Sequence, residues 1–310
     1  LLNDFIGDVN MNNCDDHNSK IVVNTYGYKL FYQEYSDLED FLKKIISLPI
    51  NRSVFGKLAS EKKGRSMYHS CDSFEEAWNL CYYGWNQDYD TFCQKIDFLQ
   101  CKYDEIETTV KNFRVYGFYP NIPRFLHNKP TNMVYKQNDT VNKQTIFINF
   151  NASYSAYQSQ ASITNRGICV INLINQLEKQ YNVVFNLFEC ATETNEMIYI
   201  CINLKKEYEK INTKRLYFPL VNPDFLRRLI LRSEECCFGI NYAWCIGYGT
   251  PYIPSEVDQE YLNKTIYIST PNEMGIKGDD LKTDYENFIN YISSQNYFQE
   301  TVLEKRKKMY

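Results

Sequence analysis

The sequence lacks any run of about 18 apolar residues, so no segment reads as a conventional membrane-spanning helix. It lacks a Cys-x-x-Cys pair among its 11 cysteines, which argues against a zinc ribbon. The cysteines are odd in number and scattered, and several sit inside apolar runs such as MIYICINL around Cys201. Thiols in that setting read as small buried hydrophobes of a reducing compartment. Histidine is scarce, with only His17, His69 and His127. A His69/Cys71 nucleophile pair is the one arrangement of that kind the spacing offers, and nothing in the sequence marks its base or oxyanion donors. An excess of positive charge is missing too: the formal net charge is −4, which gives no global field for nucleic acid. The glycines of GINYAWCIGYGTPYIP (Gly239, Gly247, Gly249) lack the lysine of a phosphate loop. The start, LLNDFIGDVNMNNCDDHNSK, has neither the basic residues nor the apolar stretch of a signal peptide, so the expected location is the cytoplasm.

What the chain does have is core material. Its 310 residues are 44% hydrophobic and 16% aromatic, enough for one large domain or two ordinary ones. Three regions are expected: a polar leader over 1–20, a mainly helical region over 21–140, and an α/β domain over 141–310. In the second, IVVNTYGYKLFYQEY reads as a hairpin. Helices follow over 37–48, capped by Ser36, over 73–83, with Ser73 and Glu76 as a capping box and Gly84 as the stop, and from Asp90 to about Lys111, with Phe92, Ile96, Phe98 and Leu99 inward. Pro120, Pro123 and Pro130 then impose a structured connection.

From 145 the pattern changes to strand, helix, strand. TIFINFN is a near-continuous apolar run of the sort found in a strand covered on both faces, RGICVINLINQLEKQ is a helix, and VVFNLFECA is the next strand. That order is a βαβ unit with a parallel strand pair. MIYICINLKK is expected as an antiparallel edge strand, PDFLRRLILRSEE as a helix, TIYIST as a further strand, and DDLKTDYENFINYISSQ as a closing helix capped by Asp279 or Asp280.

Asn151-Ala-Ser153-Tyr-Ser155 stands where the first of these parallel strands ends, outside the carboxyl edge where open α/β sheets bind ligands. The strand, the N-x-S-x-S sequence and the following helix resemble the metal-ion-dependent adhesion site of von Willebrand factor A domains, whose pattern is D-x-S-x-S. The resemblance covers roughly 145–295 and implies an α/β, von Willebrand A-like fold: a mostly parallel sheet flanked by helices. It also implies an oxygen-ligated Mg²⁺ held by Asn151, Ser153 and Ser155, completed by Ser269 or Thr270 and, less closely, Asp224. Asn151 stands where the family carries a carboxylate, which removes one negative charge from the site. The whole chain is also similar to an uncharacterised group of bacteriophage-encoded proteins.

By this resemblance the expected function is a non-enzymatic protein-interaction module. Its partner would meet the loops around Asn151–Ser155, Tyr248 and Tyr252, and Ser269–Asn272, with Arg228 and Arg232, one helical turn apart, able to grip acidic or phosphate groups. A protein partner is favoured over nucleic acid, and no membrane is involved. The alternatives are a metal-dependent nucleic-acid- or nucleotide-acting enzyme of viral origin, with phosphate contacts from Arg228 and Arg232, and a virion or assembly component.

Overall fold

The computed structural model describes residues 19–23, 29–47, 58, 60–66, 69–103, 112–114, 119–120, 122–126, 133–135, 143–155, 158–193, 196–236, 250–251 and 265–295. In chain order the elements are β1 (Ser19–Val23), β2 (Lys29–Tyr35), α1 (Leu38–Ser47), α2 (Phe74–Tyr83), α3 (Tyr89–Tyr103), β3 (Asn112–Arg114), β4 (Tyr119–Pro120), α4 (Ile122–Leu126) and β5 (Met133–Tyr135). There follow β6 (Thr145–Asn151), α5 (Gln160–Leu177), β7 (Asn182–Glu193), β8 (Glu196–Lys205), α6 (Thr213–Val221), a π-helical turn (Phe225–Ile230), α7 (Leu231–Cys236), β9 (Thr250–Pro251), β10 (Thr265–Ile268) and α8 (Leu281–Ser293). No described helix is long and apolar enough to cross a membrane.

The protein is α/β. Its main sheet has the order β1-β2-β8-β7-β6-β10, with β9 pairing β7, and β3, β5 and β4 form a small separate sheet. β10, β6 and β7 are mutually parallel neighbours, so these three segments lie side by side. β8 runs antiparallel to β7 as expected, but it is not an edge. The N-terminal hairpin reaches across and β2 pairs with β8 in parallel, which carries the sheet two strands further. Sequence patterning could not show this, because an edge strand and a covered one differ only in what their free backbone groups meet.

Ile146, Ile148 and Phe150 of β6, Val183, Phe185 and Leu187 of β7, and Ile198, Ile200 and Ile202 of β8 all point to one face and are fully buried. The same core takes in Phe41, Phe74, Phe92, Leu173, Phe218, Phe225 and Phe288 from the helices, so the N-terminal helices and the sheet share one hydrophobic interior. On the opposite face Asn149, Asn186 and Asn203 form a cross-strand ladder: Asn186 Nδ2 donates to Asn149 Oδ1 at 3.1 Å and Asn203 Nδ2 to Asn186 Oδ1 at 2.8 Å. Phe147 stands on that face 41% exposed, so the apolar run of β6 is covered on one side and partly open on the other.

Local chemistry sets the ends of several helices. Ser73 Oγ accepts from Glu76 N, and Glu76 reaches back to Asp72 N, a capping box displaced by one residue at its return arm. At α1 the cap is Asp37, not Ser36: its Oδ1 accepts from the backbone N–H groups of Glu39 and Asp40. α3 buries Phe92, Ile96 and Leu99 but leaves Phe98 53% exposed, a correction to its expected inward face. Asp280 caps α8 through Thr283 N.

Gly278 fixes how closely the loop before α8 meets the start of α5. It has φ +90°, and a Cβ there would lie 2.5 Å from the backbone N of Ser162 and 2.8 Å from Ala161 C. Both the strain and the clash fall on backbone. Gly278→Ala is expected to lower stability by about 1–3 kcal/mol, read as a reduced urea midpoint with an unchanged slope.

Candidate functional site

β6 and β10 end nearly level with one another and form a rim, beyond which β7 runs on to Glu193. β6 ends at Asn151, level with Phe188 of β7. From β6 the chain crosses through α5 to β7, while β10 lies on the other side, so the crevice between β6 and β10 is the position at which such sheets bind ligands. A side chain of the protein holds that crevice. Arg166 on α5 donates through Nη1 to the carbonyls of both Asn151 and Ser269, each at 3.0 Å, and its guanidinium lies 4.2 Å from the Phe150 ring centre. It is 1% exposed. Burial lowers its pKa to about 10, which leaves it cationic at neutral pH.

Of the residues expected to hold magnesium, Asn151, Ser153 and Ser269 are engaged with partners inside the protein. Asn151 is fully buried; its Oδ1 accepts from Ser153 N at 2.8 Å and its Nδ2 donates to the Tyr267 hydroxyl at 3.0 Å, so the carboxamide is used at both ends inside the protein. Ser153 is buried with its hydroxyl toward Glu189, Ser155 is exposed, and Thr270 is half-buried. The Ser269 hydroxyl goes to Glu273. Among the described residues no three His, Cys, Asp or Glu side chains converge in a way that could hold a metal.

Asp224, the other expected ligand, lies in a separate hub beneath the π-helical turn. Its Oδ1 meets His69 Nδ1 at 2.8 Å and Arg228 Nε at 3.3 Å, while its Oδ2 accepts from Ser70 Oγ at 2.9 Å and Cys71 N at 2.5 Å. Burial acts to raise this carboxyl, but the hydrogen bonds from His69, Cys71 and Ser70 and the charge of Arg228 outweigh it and hold the pKa below the usual range. Burial and the Asp224 charge push the Cys71 thiol up to about 12. A thiol held in its protonated form is a weak nucleophile, which weighs against the His69/Cys71 pair.

Arg228 is likewise not a surface contact. It is fully buried and donates to the carbonyls of Cys71 at 2.8 Å, Gly64 at 3.3 Å and Ser60 at 3.5 Å, and to that of Lys62. The wide turn is a real π register, with Leu231 N–H closing on Leu226 O. Arg232 is partly buried, 3.8 Å from Glu61 and over the Phe74 ring. The expected grip of Arg228 and Arg232 on an outside partner is therefore corrected for Arg228, whose guanidinium is spent on the chain's own carbonyls. Tyr248 and Tyr252 lie outside the described residues.

A second cluster was not visible in the sequence. Glu189 near the end of β7 and Glu234 on α7 are both buried and face one another beside Ser153. Ser153 Oγ stands 3.3 Å from Glu189 Oε1 and 3.4 Å from the Cys190 carbonyl. Glu189 and Glu234 hydrogen-bond to one another, and no other donor of the described residues reaches Glu189 Oε2 or either oxygen of Glu234. Desolvation raises Glu189 to about 8, and desolvation together with the Glu189 charge raises Glu234 well above the carboxylate range. Ser233, Glu234 and Glu235, at the end of the expected helix PDFLRRLILRSEE, are all fully buried.

At the outer side of the rim a cleft of about 580 Å³ opens where α3, α5 and α8 begin. Trp85 and Tyr217, whose rings stack at 4.7 Å, form part of its wall, with Lys95 and Arg65 on one side and Asp279 and Asp280 on the other.

The family described as Domain of unknown function (DUF7192) matches residues 14–304. The chain belongs to this family. The match spans the hairpin, the helical layer and the α/β region together, in keeping with the single core that joins them. No curated protein and no solved structure matches this DUF7192 chain.

Proposed function

We propose that this DUF7192 chain is a non-catalytic module of von Willebrand A-like design that binds a protein partner at the rim of its sheet, without a metal ion bridging the two. The strand order β8-β7-β6-β10, with β8 antiparallel and the N-x-S-x-S turn after β6, supports the von Willebrand A-like reading. The single observation that carries the binding reading is the cleft beside that rim. It combines aromatic wall, cations and carboxylates within one groove, which suits a polypeptide segment bearing both charges better than a polyanion. Arg166 supports a metal-free contact, because it supplies a fixed positive charge at the crevice between β6 and β10.

The test is crosslinking capture from cells that make the chain, comparing it with Lys95→Glu and Asp279→Arg. Both positions line the cleft, and neither serves the core. The expected result is one partner protein, captured equally with and without EDTA and lost in both variants while their melting curves stay native. A partner retained by both variants would sink the proposed surface. Hydrolysis of nucleic acid or nucleotide that depends on Mg²⁺ or Mn²⁺ would move the protein to the enzyme class.

A further inference from the structure

Two carboxyl groups packed face to face in a dry interior either keep their protons or take up a cation. An isolated carboxylate there costs far more than ordinary packing returns. Glu189 and Glu234 have no arginine, lysine or histidine of the described residues bonded to them; they hydrogen-bond to one another, and no other donor of the described residues meets Glu189 Oε2 or either oxygen of Glu234. Without a cation the pair stays uncharged by keeping its protons, with Glu189 raised to about 8 and Glu234 raised in the same direction. A divalent cation neutralises both groups.

The spacing of the neighbouring oxygens points the same way. A hydroxyl donating to a carboxylate ordinarily stands about 2.6–2.8 Å from it. Ser153 Oγ is 3.3 Å from Glu189 Oε1 and 3.4 Å from Cys190 O, too long for either bond to be a good one. Adjacent oxygens around an octahedral cation held at about 2.3–2.4 Å stand about 3.3 Å apart. Metal–oxygen distances of that length belong to calcium, and manganese lies near them, whereas magnesium at about 2.1 Å would draw the oxygens closer.

We propose that Glu189 and Glu234, together with Ser153 Oγ and the Cys190 carbonyl, form a buried site for one divalent cation of calcium or manganese size. The site lies on the β7 side of β6, away from the β6–β10 crevice that Arg166 holds. It clamps α7 to the end of β7 and so serves architecture. It stands independently of the partner-binding reading, since neither the cleft nor its variants contribute a ligand.

The experiment strips the purified full chain with EDTA and titrates it with Mn²⁺, following free Mn²⁺ by electron paramagnetic resonance, with Ca²⁺ as competitor. One Mn²⁺ per chain is expected, displaced by Ca²⁺, together with a higher melting temperature in either ion. Affinity should fall at least tenfold in Glu234→Gln and measurably in Ser153→Ala, while Ser155→Ala and Thr270→Ala bind as the parent does. Absence of Mn²⁺ and Ca²⁺ binding by the parent chain would overturn the proposal, as would equal binding by Ser153→Ala and Glu234→Gln. Loss of binding in Ser155→Ala and Thr270→Ala alone would also overturn it, by placing the ion in the β6–β10 crevice. Should Glu234→Gln fail to fold, Ser153→Ala and the parent titration decide.

Discussion

Asp224→Ala is expected to destabilise the protein by about 3–5 kcal/mol, enough to unfold a protein of ordinary stability near room temperature. The carboxyl is fully buried and joins four groups from two distant stretches of chain: His69, Ser70 and Cys71 from one, and Arg228 on its own helical turn. Removing it strands the Arg228 guanidinium, itself fully buried, against carbonyls that cannot neutralise it. The cost arises from an uncompensated buried charge, so it should be non-additive. Asp224→Asn with Arg228→Met is expected to be less destabilised than the sum of the two single changes, because the pair leaves together. Urea denaturation of the two single variants and the double variant measures this. Additive losses would show that Asp224 acts through His69, Ser70 and Cys71 and not through Arg228.

In metal-free buffer, stability is expected to fall as pH rises from about 4.5 to about 8. The sign follows from Glu189, whose pKa is raised by burial from the model-compound range to about 8. Between those limits the folded protein holds a proton that the unfolded chain has released, so the unfolded state binds fewer protons and stability declines with pH. The slope is about 1.4 kcal/mol per pH unit for one proton. Glu234, raised in the same direction, adds to the decline. Glu234→Gln removes one acid from the pair and supplies an amide donor to Glu189. It should flatten the profile and leave the variant more stable than the parent at pH 8. Melting curves across pH 5–9 in EDTA check this, and a parent profile that rises over that window would refute the assignment of these two groups as the buried acids.

The elements that could be read in advance are those whose ends are written in local chemistry. α2 runs from Ser73 to Gly84 because a hydroxyl and a glycine stop it at each end, and α8 begins at Asp280 because its carboxylate accepts from Thr283 N. β6, β7, β8 and β10 were legible because Val, Ile and Phe concentrate there between polar turns. α6 was missed: Pro219 sits inside TKRLYFPLV, and the helix persists because tertiary packing buries Leu216 to Val221.

The site was harder to read because its residues carry no local signature. Asn151-Ala-Ser153-Tyr-Ser155 did mark the rim, and its position at the end of β6 is as the motif suggests. On folding the Asn151 carboxamide is used inside the protein, Oδ1 accepting from Ser153 N and Nδ2 donating to the Tyr267 hydroxyl. Arg166, Glu189 and Glu234 carried no signal of their own in the sequence, and Arg228 fitted an ordinary solvated helix position. Each became important only when another element arrived beside it: Ser269 for Arg166, Ser153 and Glu234 for Glu189, and Ser60 to Cys71 for Arg228.

By itself the sequence determined an α/β protein with a parallel β6–β7 unit, a helical N-terminal layer and a turn of short polar residues at the sheet rim, because periodicity and capping act over a few residues. Only the tertiary structure decided that the N-terminal hairpin extends the same sheet, that an arginine holds the crevice beside that turn, and that two glutamates meet in the interior. Those outcomes depend on which distant charges are brought together out of water, and burial multiplies the energy of such pairs far beyond anything visible along the chain.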